Sequence, residues 1–215
     1  MKNEMRRLRV LSAFMLACLV FIGGILEVHA EDLLTTLEQS HMIEVKQSWF
    51  SLNKSYKVYV DGNKVGKVEG LYFNLFGERL VLSDLNGDVY GSEQQIKRWN
   101  IRLNRLAQVY NSSNETVGFI GEEVIEDFFR WGKTFHFYDE NRKEIAISKQ
   151  KMFRIFPEYI IEDKSGNELY KIKKKFSLFK TTYEITIYDT NVVPVEQSIF
   201  LTSILDAIKE AEDEK

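Results

Sequence analysis

Tyr56-Lys57-Val58-Tyr59-Val60-Asp61-Gly62-Asn63-Lys64-Val65-Gly66-Lys67-Val68-Glu69 is the segment from which the rest of the fold can be worked out. Apolar and polar residues alternate on both sides of an Asp-Gly turn, which is the pattern of a β-hairpin. Turn signals of this kind recur, with steps of 23, 27, 28, 24 and 26 residues between their tips. The six turns are Asp61–Asn63, Asp84–Gly87, Asn111–Asn114, Asp139–Asn141, Asp163–Gly166 and Asp189–Asn191. This regular spacing predicts consecutive hairpins.

The runs that flank these turns predict twelve strands. A first strand, Met42–Phe50, precedes the hairpins. The others lead into or out of a turn: Tyr56–Val60, Lys64–Glu69, Arg79–Ser83, Asp88–Gln95, Arg105–Tyr110, Thr116–Glu122, Lys133–Tyr138, Lys143–Lys149, Glu158–Glu162, Asn167–Phe176 and Tyr183–Tyr188. Alternation in these runs is expected of antiparallel strands with one buried face and one wet face.

The sixth turn is followed by a helix instead of a strand. Beyond Pro194, the apolar residues recur at helical spacing from Ser198 to about Glu212, and they cover a broad arc of the helix. Closing twelve strands into a barrel would remove the sheet edges, and the interior would be too wide for strand side chains to fill. We therefore predict a mainly β fold, a twelve-stranded antiparallel barrel of six hairpin units plugged by this helix. A two-layer sandwich covered by the helix is the alternative.

The N-terminal segment has the layout of an export signal. Four basic residues among the first nine precede an apolar stretch, residues 10–26, and Val28-His29-Ala30 follows as a cleavage signal. Cleavage is predicted after Ala30. The apolar stretch is also long enough to serve as an uncleaved membrane anchor, and either outcome places residues 31–215 outside the cytoplasmic membrane. The predicted organisation is a signal or anchor over 1–30, a short linker over 31–41 and one barrel domain over 42–215.

Cysteine content and net charge limit the cellular compartments and the binding partners that we expect for this protein. Cys18 is the single cysteine, so no disulfide can form within the exported part, which favours a bacterial envelope. The exported part carries 25 basic and 30 acidic residues, a net charge of −5. Nucleic acid is not an expected partner at this charge balance.

Five segments carry a resemblance to a known family: Tyr56–Asn63, Val68–Gly70, Leu82–Gly87, Phe156–Tyr159 and Ile172–Lys180. They resemble the LURP-one-related family of the tubby C-terminal-like superfamily, and the resemblance covers about residues 42–212. It implies a twelve-stranded barrel around a hydrophobic C-terminal helix, without catalytic activity. Members include proteins that bind phosphoinositide headgroups, phospholipid scramblases and plant defence-associated proteins, so the resemblance implies no single ligand.

Two stretches are candidate binding sites. The first contains Lys171, Lys173, Lys174, Lys175 and Lys180, whose ammonium groups would bind an anionic lipid or polymer. The alternative interpretation is that strand alternation places Lys171, Lys173 and Lys175 on a wet face, with Lys174 at an irregularity.

The second stretch is acidic and aromatic. Its carboxylates would bind a cation or a partner protein, and its aromatic rings would form a contact patch. Its residues are Glu122, Glu123, Glu126, Asp127, Phe128, Phe129 and Trp131. The alternative is a short helical link that lays these aromatic side chains on the barrel.

Enzyme signatures are missing from the sequence. The exported part contains only His41 and His136, without a ligand partner at metal-binding spacing, and no nucleophile or phosphate-binding motif occurs. His136 is interpreted as an ordinary strand residue. We expect no cofactor and a non-catalytic binding or scaffold domain for an envelope protein or an anionic lipid or polymer. An anionic phospholipid-binding or lipid-handling protein is the second hypothesis, and an uncharacterised hydrolase is the third.

Overall fold

The computed structural model describes residues 32–48, 54–70, 79–123, 132–151, 156–175 and 181–213. Two helices are present in these ranges, α1 (Leu33–Gln39) and α2 (Val195–Asp213). The strands are β1 (Met42–Gln47), β2 (Ser55–Val60), β3 (Asn63–Gly70), β4 (Arg79–Asp84), β5 (Val89–Gln95), β6 (Leu103–Asn111), β7 (Thr116–Glu123), β8 (Thr134–Tyr138), β9 (Glu144–Lys151), β10 (Glu158–Asp163), β11 (Glu168–Lys175) and β12 (Thr182–Ile187).

The twelve strands form one closed antiparallel barrel, as predicted, and the sandwich alternative is wrong. Each strand pairs with the next along the chain, and β1 pairs with β12 to close the cylinder. At the closure, Val45 lies opposite Tyr183 on one side and Val58 on the other. Every strand therefore has two neighbours, and no sheet edge is left for pairing with another chain.

The predicted turns all lie at one rim of the barrel, which we call the turn end. Side-chain carboxylates hold several of them: Asp84 Oδ1 accepts the backbone N–H groups of Asn86, Gly87 and Asp88 at 2.9, 2.8 and 2.8 Å. In the first turn, Asp61 and Gly62 have φ of 50° and 79°, the left-handed conformations that a two-residue hairpin requires. The opposite rim, where β1, β3, β5, β7, β9 and β11 end, is called the loop end.

Helix α2 lies inside the barrel. Its residues contact strands from around the wall: a Cβ on Gly91 of β5 would touch Phe200, and Tyr183 of β12 donates to Asp206 at 2.7 Å. The polar Thr202, Ser203 and Asp206, which an exposed helix would turn to water, are buried as well. The helix begins at Val195, directly after Pro194, three residues before the predicted Ser198.

Helix α1 lies within the predicted linker, residues 31–41. Leu33 and Leu37, one helical turn apart, are buried in the main core, and Leu33 lies over Gly66 of β3. The residues from Leu33 onward form one compact unit with its own closed sheet and core. Such a unit has the properties of a domain that folds on its own.

Candidate functional site

The predicted lysine run is divided between the two faces of β11. Lys171, Lys173 and Lys175 lie on the outer face, as alternation predicts, while Ile172 between them is fully buried in the core. Lys174 points inward, where its Nζ lies 3.3 Å from Tyr183 Oη and 3.4 Å from Asp206 Oδ1. The interpretation of an irregularity at Lys174 is wrong, because this residue pairs in regular register with Tyr183. Lys180 lies outside the described residues.

The buried contact of Lys174 removes it from any surface site. Tyr183 Oη donates to Asp206 Oδ1 at 2.7 Å, so the ammonium, the phenol and the carboxylate meet at one point between the wall and α2. Burial, together with the Asp206 carboxylate, raises the pKa of Tyr183 far above its ordinary value. This phenol is therefore a neutral donor, and Lys174 helps to hold α2 in place.

Carboxylates compensate the outer lysines of β11. Glu158 of β10 is 3% exposed, and its carboxylate oxygens lie 3.8, 4.0 and 3.9 Å from the Nζ atoms of Lys151, Lys171 and Lys173. Lys175 contacts Glu184 directly and lies 3.8 Å from Glu44, and the Glu184 carboxylate raises the pKa of Lys175. The run alone therefore offers little uncompensated charge to an anion.

Cross-strand register brings further lysines beside Lys175, near the loop end. Lys175 lies opposite Thr182, which lies opposite Lys46, and Lys46 is followed around the barrel by Lys57 and Lys67. We call Lys46, Lys57, Lys67 and Lys175 the lysine rim. No acidic residue interrupts this row, although the row beside it contains Glu44 and Glu184.

The members of the lysine rim differ in their partners. Lys46 Nζ lies 2.7 Å from Glu44 and 4.4 Å from the centre of the Tyr59 ring, and Lys67 lies 2.8 Å from Glu69. Lys57 is exposed and has no ion-pair or hydrogen-bond partner among the residues that the structure describes. Like charges directly opposite one another destabilise a sheet. Packing alone therefore does not account for a lysine at position 57, between Lys46 and Lys67.

Sequence reasoning missed Lys46, Lys57 and Lys67. Alternation within β1 and β2 places Lys46 and Lys57 on the outer face, and this signal was present in the sequence. Their proximity to Lys175 depends on the closure between β1 and β12, which joins residues more than a hundred positions apart and has no local signature. The lysine rim is thus a product of the barrel topology.

The acidic stretch does not form one surface within its described part. Glu122 points into the barrel, where it accepts from Asn104 Nδ2 at 2.9 Å and lies 3.8 Å from Arg105 and 3.9 Å from Lys133. Glu123 lies on the outer face, 3.8 Å from His136 Nε2. The remaining members, Glu126, Asp127, Phe128, Phe129 and Trp131, lie outside the described residues.

A pocket opens beside Glu122 at the loop end, between α2 and strands β4 to β7. Its empty volume, including its mouth, is about 530 Å³. Charged and apolar side chains share the lining, which includes Glu93, Arg105, Glu122, Ile120, Ser203 and Ile204. Cations and carboxylates are both represented, so the pocket does not select a ligand of one charge.

His136 lies on β8, as predicted. Its Nδ1 is 2.8 Å from Glu144 Oε2, which makes it part of an outer-face pair of side chains. Across the described ranges, no group of three or more histidine, cysteine or acidic side chains is arranged to hold a metal ion.

Comparison of the chain with models of protein families, with curated proteins and with solved structures found no match. Neither described helix is long and apolar enough to cross a membrane. The predicted export segment, including residues 10–26 and the cleavage position after Ala30, lies outside the described residues.

Proposed function

We propose that this protein is a non-catalytic, exported binding domain that contacts an anionic component of the cell envelope through the lysine rim. The observation that carries the proposal is the row of Lys175, Lys46, Lys57 and Lys67 across neighbouring strands, with Lys57 exposed and unpaired within the described structure. The ligand chemistry is a set of closely spaced phosphate or carboxylate groups.

Charge distribution supports this proposal. The exported part has a net charge of −5, so an anionic ligand approaching at random is repelled by most of the molecule. A local row of ammonium groups creates one favourable approach, and each lysine near an anionic surface contributes on the order of 1 kcal/mol. Because the rim lysines lie on the outer face near the loop end, the ligand would meet the wall of the barrel there.

The proposal can be tested with residues 31–215 and two anionic probes, phosphatidylglycerol-containing vesicles and soluble polyphosphate. Replacing Lys46, Lys57 and Lys67 with glutamine should weaken binding to at least one probe about a hundredfold, at about 1 kcal/mol for each charge. Binding should also weaken as salt is raised, because exposed charges are screened.

A matched control is available at the turn end. Lys64, Lys143 and Lys164 are exposed there, and replacing all three with glutamine changes the net charge by the same amount. This control variant should bind the probes almost as the unaltered protein does. If neither probe binds, or if both triple variants lose binding equally, the lysine rim is not a binding site.

A further inference from the structure

The connection between β5 and β6 presents an exposed apolar residue within a basic stretch of sequence. Its sequence is Ile96-Lys97-Arg98-Trp99-Asn100-Ile101-Arg102, with three basic residues and no acidic one. Ile101 is 90% exposed, far more than any other large apolar side chain among the described residues. Its basic neighbours in the sequence, Lys97, Arg98 and Arg102, are exposed as well. We call residues 96–102 the β5–β6 loop. It joins its two strands at the loop end and runs back along the outer wall, where Trp99 contacts Tyr138 and Arg142.

Hydrogen bonds within the β5–β6 loop fix the position of Ile101. Leu103 N–H donates to Asn100 O at 3.1 Å, and Arg102 N–H donates to Asn100 Oδ1 at 3.0 Å. Arg98 Nη1 donates to Leu103 O at 2.8 Å. The turn that carries Ile101 is therefore closed by three hydrogen bonds, with Ile101 at its exposed tip.

Aromatic packing attaches the base of the β5–β6 loop to the outer wall. The Trp99 ring meets Phe119 edge to face, with 4.7 Å between centroids, and meets Tyr138 at 5.7 Å. The Arg142 guanidinium lies 4.6 Å from the centre of the same ring. Trp99 is thus packed against the outer wall, whereas Ile101 is left in water.

We infer that the β5–β6 loop docks the barrel onto an anionic lipid bilayer. Ile101 enters the boundary between headgroups and acyl chains, while Lys97 and Arg102 contact lipid phosphates. This inference rests on the proposed function, because it names the anionic ligand as a bilayer surface.

The combination of side chains favours a bilayer over a soluble polyanion. A soluble polymer can neutralise Lys97 and Arg102 but has no apolar phase into which Ile101 can transfer. Charge alone does not distinguish the two ligands, whereas the exposed apolar tip does.

Leu85 shows that an exposed apolar residue alone is not enough. It is 59% exposed at the turn end, but it lies between Asp84 and Asp88, which an anionic bilayer would repel. Single exposed apolar residues are ordinary on protein surfaces. The difference between the two sites is the charge around the tip, which makes Leu85 a matched control for Ile101.

The test uses residues 31–215, vesicles of phosphatidylcholine with and without phosphatidylglycerol, and soluble polyphosphate. Ile101→Ser should weaken binding to anionic vesicles at least about tenfold, from the transfer of one aliphatic side chain, and leave polyphosphate binding unchanged. The double variant Lys97→Gln and Arg102→Gln should weaken vesicle binding about fivefold for each charge removed. Leu85→Ser should bind the vesicles as the unaltered protein does.

A spectroscopic readout reports insertion directly. Residues 31–215 contain no cysteine, so Ile101→Cys provides one thiol for an environment-sensitive dye. Its emission should shift to the blue with anionic vesicles and stay unchanged with polyphosphate, and dye at Leu85→Cys should not respond. Because both positions are exposed, neither substitution should alter the melting temperature by more than about 2 °C, which is within the effect of an ordinary surface change.

The outcomes separate this inference from the function on which it rests. In one outcome, binding to a probe depends on the lysine rim while Ile101→Ser binds vesicles as well as the unaltered protein does. That result overturns the docking inference and leaves the proposed function standing. Binding to polyphosphate without binding to vesicles has the same meaning. Failure to bind either probe overturns both.

Discussion

Replacing Lys174 should destabilise the barrel without weakening the surface site, although Lys174 belongs to the same lysine run as Lys173. Lys174 Nζ lies 3.4 Å from Asp206 Oδ1, and the side chains are 19% and 4% exposed. Substitution with methionine keeps the length of the side chain and removes the charge. Asp206 would then keep the Tyr183 hydrogen bond but lose the nearby ammonium group.

The magnitude follows from partial burial. Breaking a fully buried ion pair by removing one partner costs about 3–5 kcal/mol, whereas an exposed pair is worth about 0.2–1 kcal/mol. Lys174 retains some access to water and its contact is long, so we expect Lys174→Met to lower the free energy of unfolding by about 2 kcal/mol, between these limits. For a domain of this size, that corresponds to a fall in melting temperature of about 4–8 °C.

The assay is thermal unfolding of residues 31–215 followed by circular dichroism, with vesicle binding measured on the same samples below the transition. Lys173→Gln is the control, since Lys173 lies on the outer face and Glu158 keeps two other lysines nearby. It should change the melting temperature by less than about 2 °C. In the double variant with Asp206→Leu, part of the loss should be recovered, because no unpaired buried charge remains. An unchanged melting temperature in Lys174→Met, or a loss of binding there that exceeds the loss in Lys173→Gln, would refute the assignment of Lys174 to the interior.

Two further predictions concern the barrel itself. Gly118→Ala should cost about 1–3 kcal/mol in urea unfolding, because the added Cβ would collide with Gln197 Nε2 and the Tyr138 carbonyl oxygen; stability equal to the unaltered protein would mean that α2 does not pack this closely. Burial raises the pKa of Tyr170 and Tyr183 in the folded state, so above about pH 10 the unfolded state binds fewer protons and stability should fall by about 1.4 kcal/mol per pH unit for each phenol. Tyr170→Phe should reduce that slope, and a slope unchanged by this substitution would contradict the prediction.

The turn end could be predicted from the sequence because its determinants are local. A carboxylate such as Asp84 or Asp163 accepts backbone N–H groups two to four residues further on, so each turn is legible within five positions. The number and order of strands followed from these turns. Helix α1 was missed although Leu33 and Leu37 have helical spacing, because seven residues provide too short a pattern to stand out in a polar segment.

The interior could be predicted only in part. The apolar arc of α2 was recognised, but an amphipathic pattern implies one wet face, and the barrel instead encloses Thr202, Ser203 and Asp206. Because the barrel encloses α2, the Asp206 carboxylate is buried and needs a counter-charge. Lys174, on the inner face of β11 opposite Tyr183, provides it. A pairing between a strand lysine and a helix carboxylate follows from the rotation of the helix within the barrel, which no local pattern specifies.

In the lysine rim, the closely spaced positive charges that would favour binding of an anion also lower the stability of the sheet. Lys57 lies directly between Lys46 and Lys67, an arrangement that costs the sheet a fraction of a kcal/mol for each like-charged pair. Glu44 and Glu69 relieve two of these charges from neighbouring positions, yet Lys57 has no such relief among the described residues. Removing its charge should therefore leave the barrel at least as stable while binding weakens. Lys57 is therefore the position at which an effect on binding and an effect on the stability of the free protein can be measured separately.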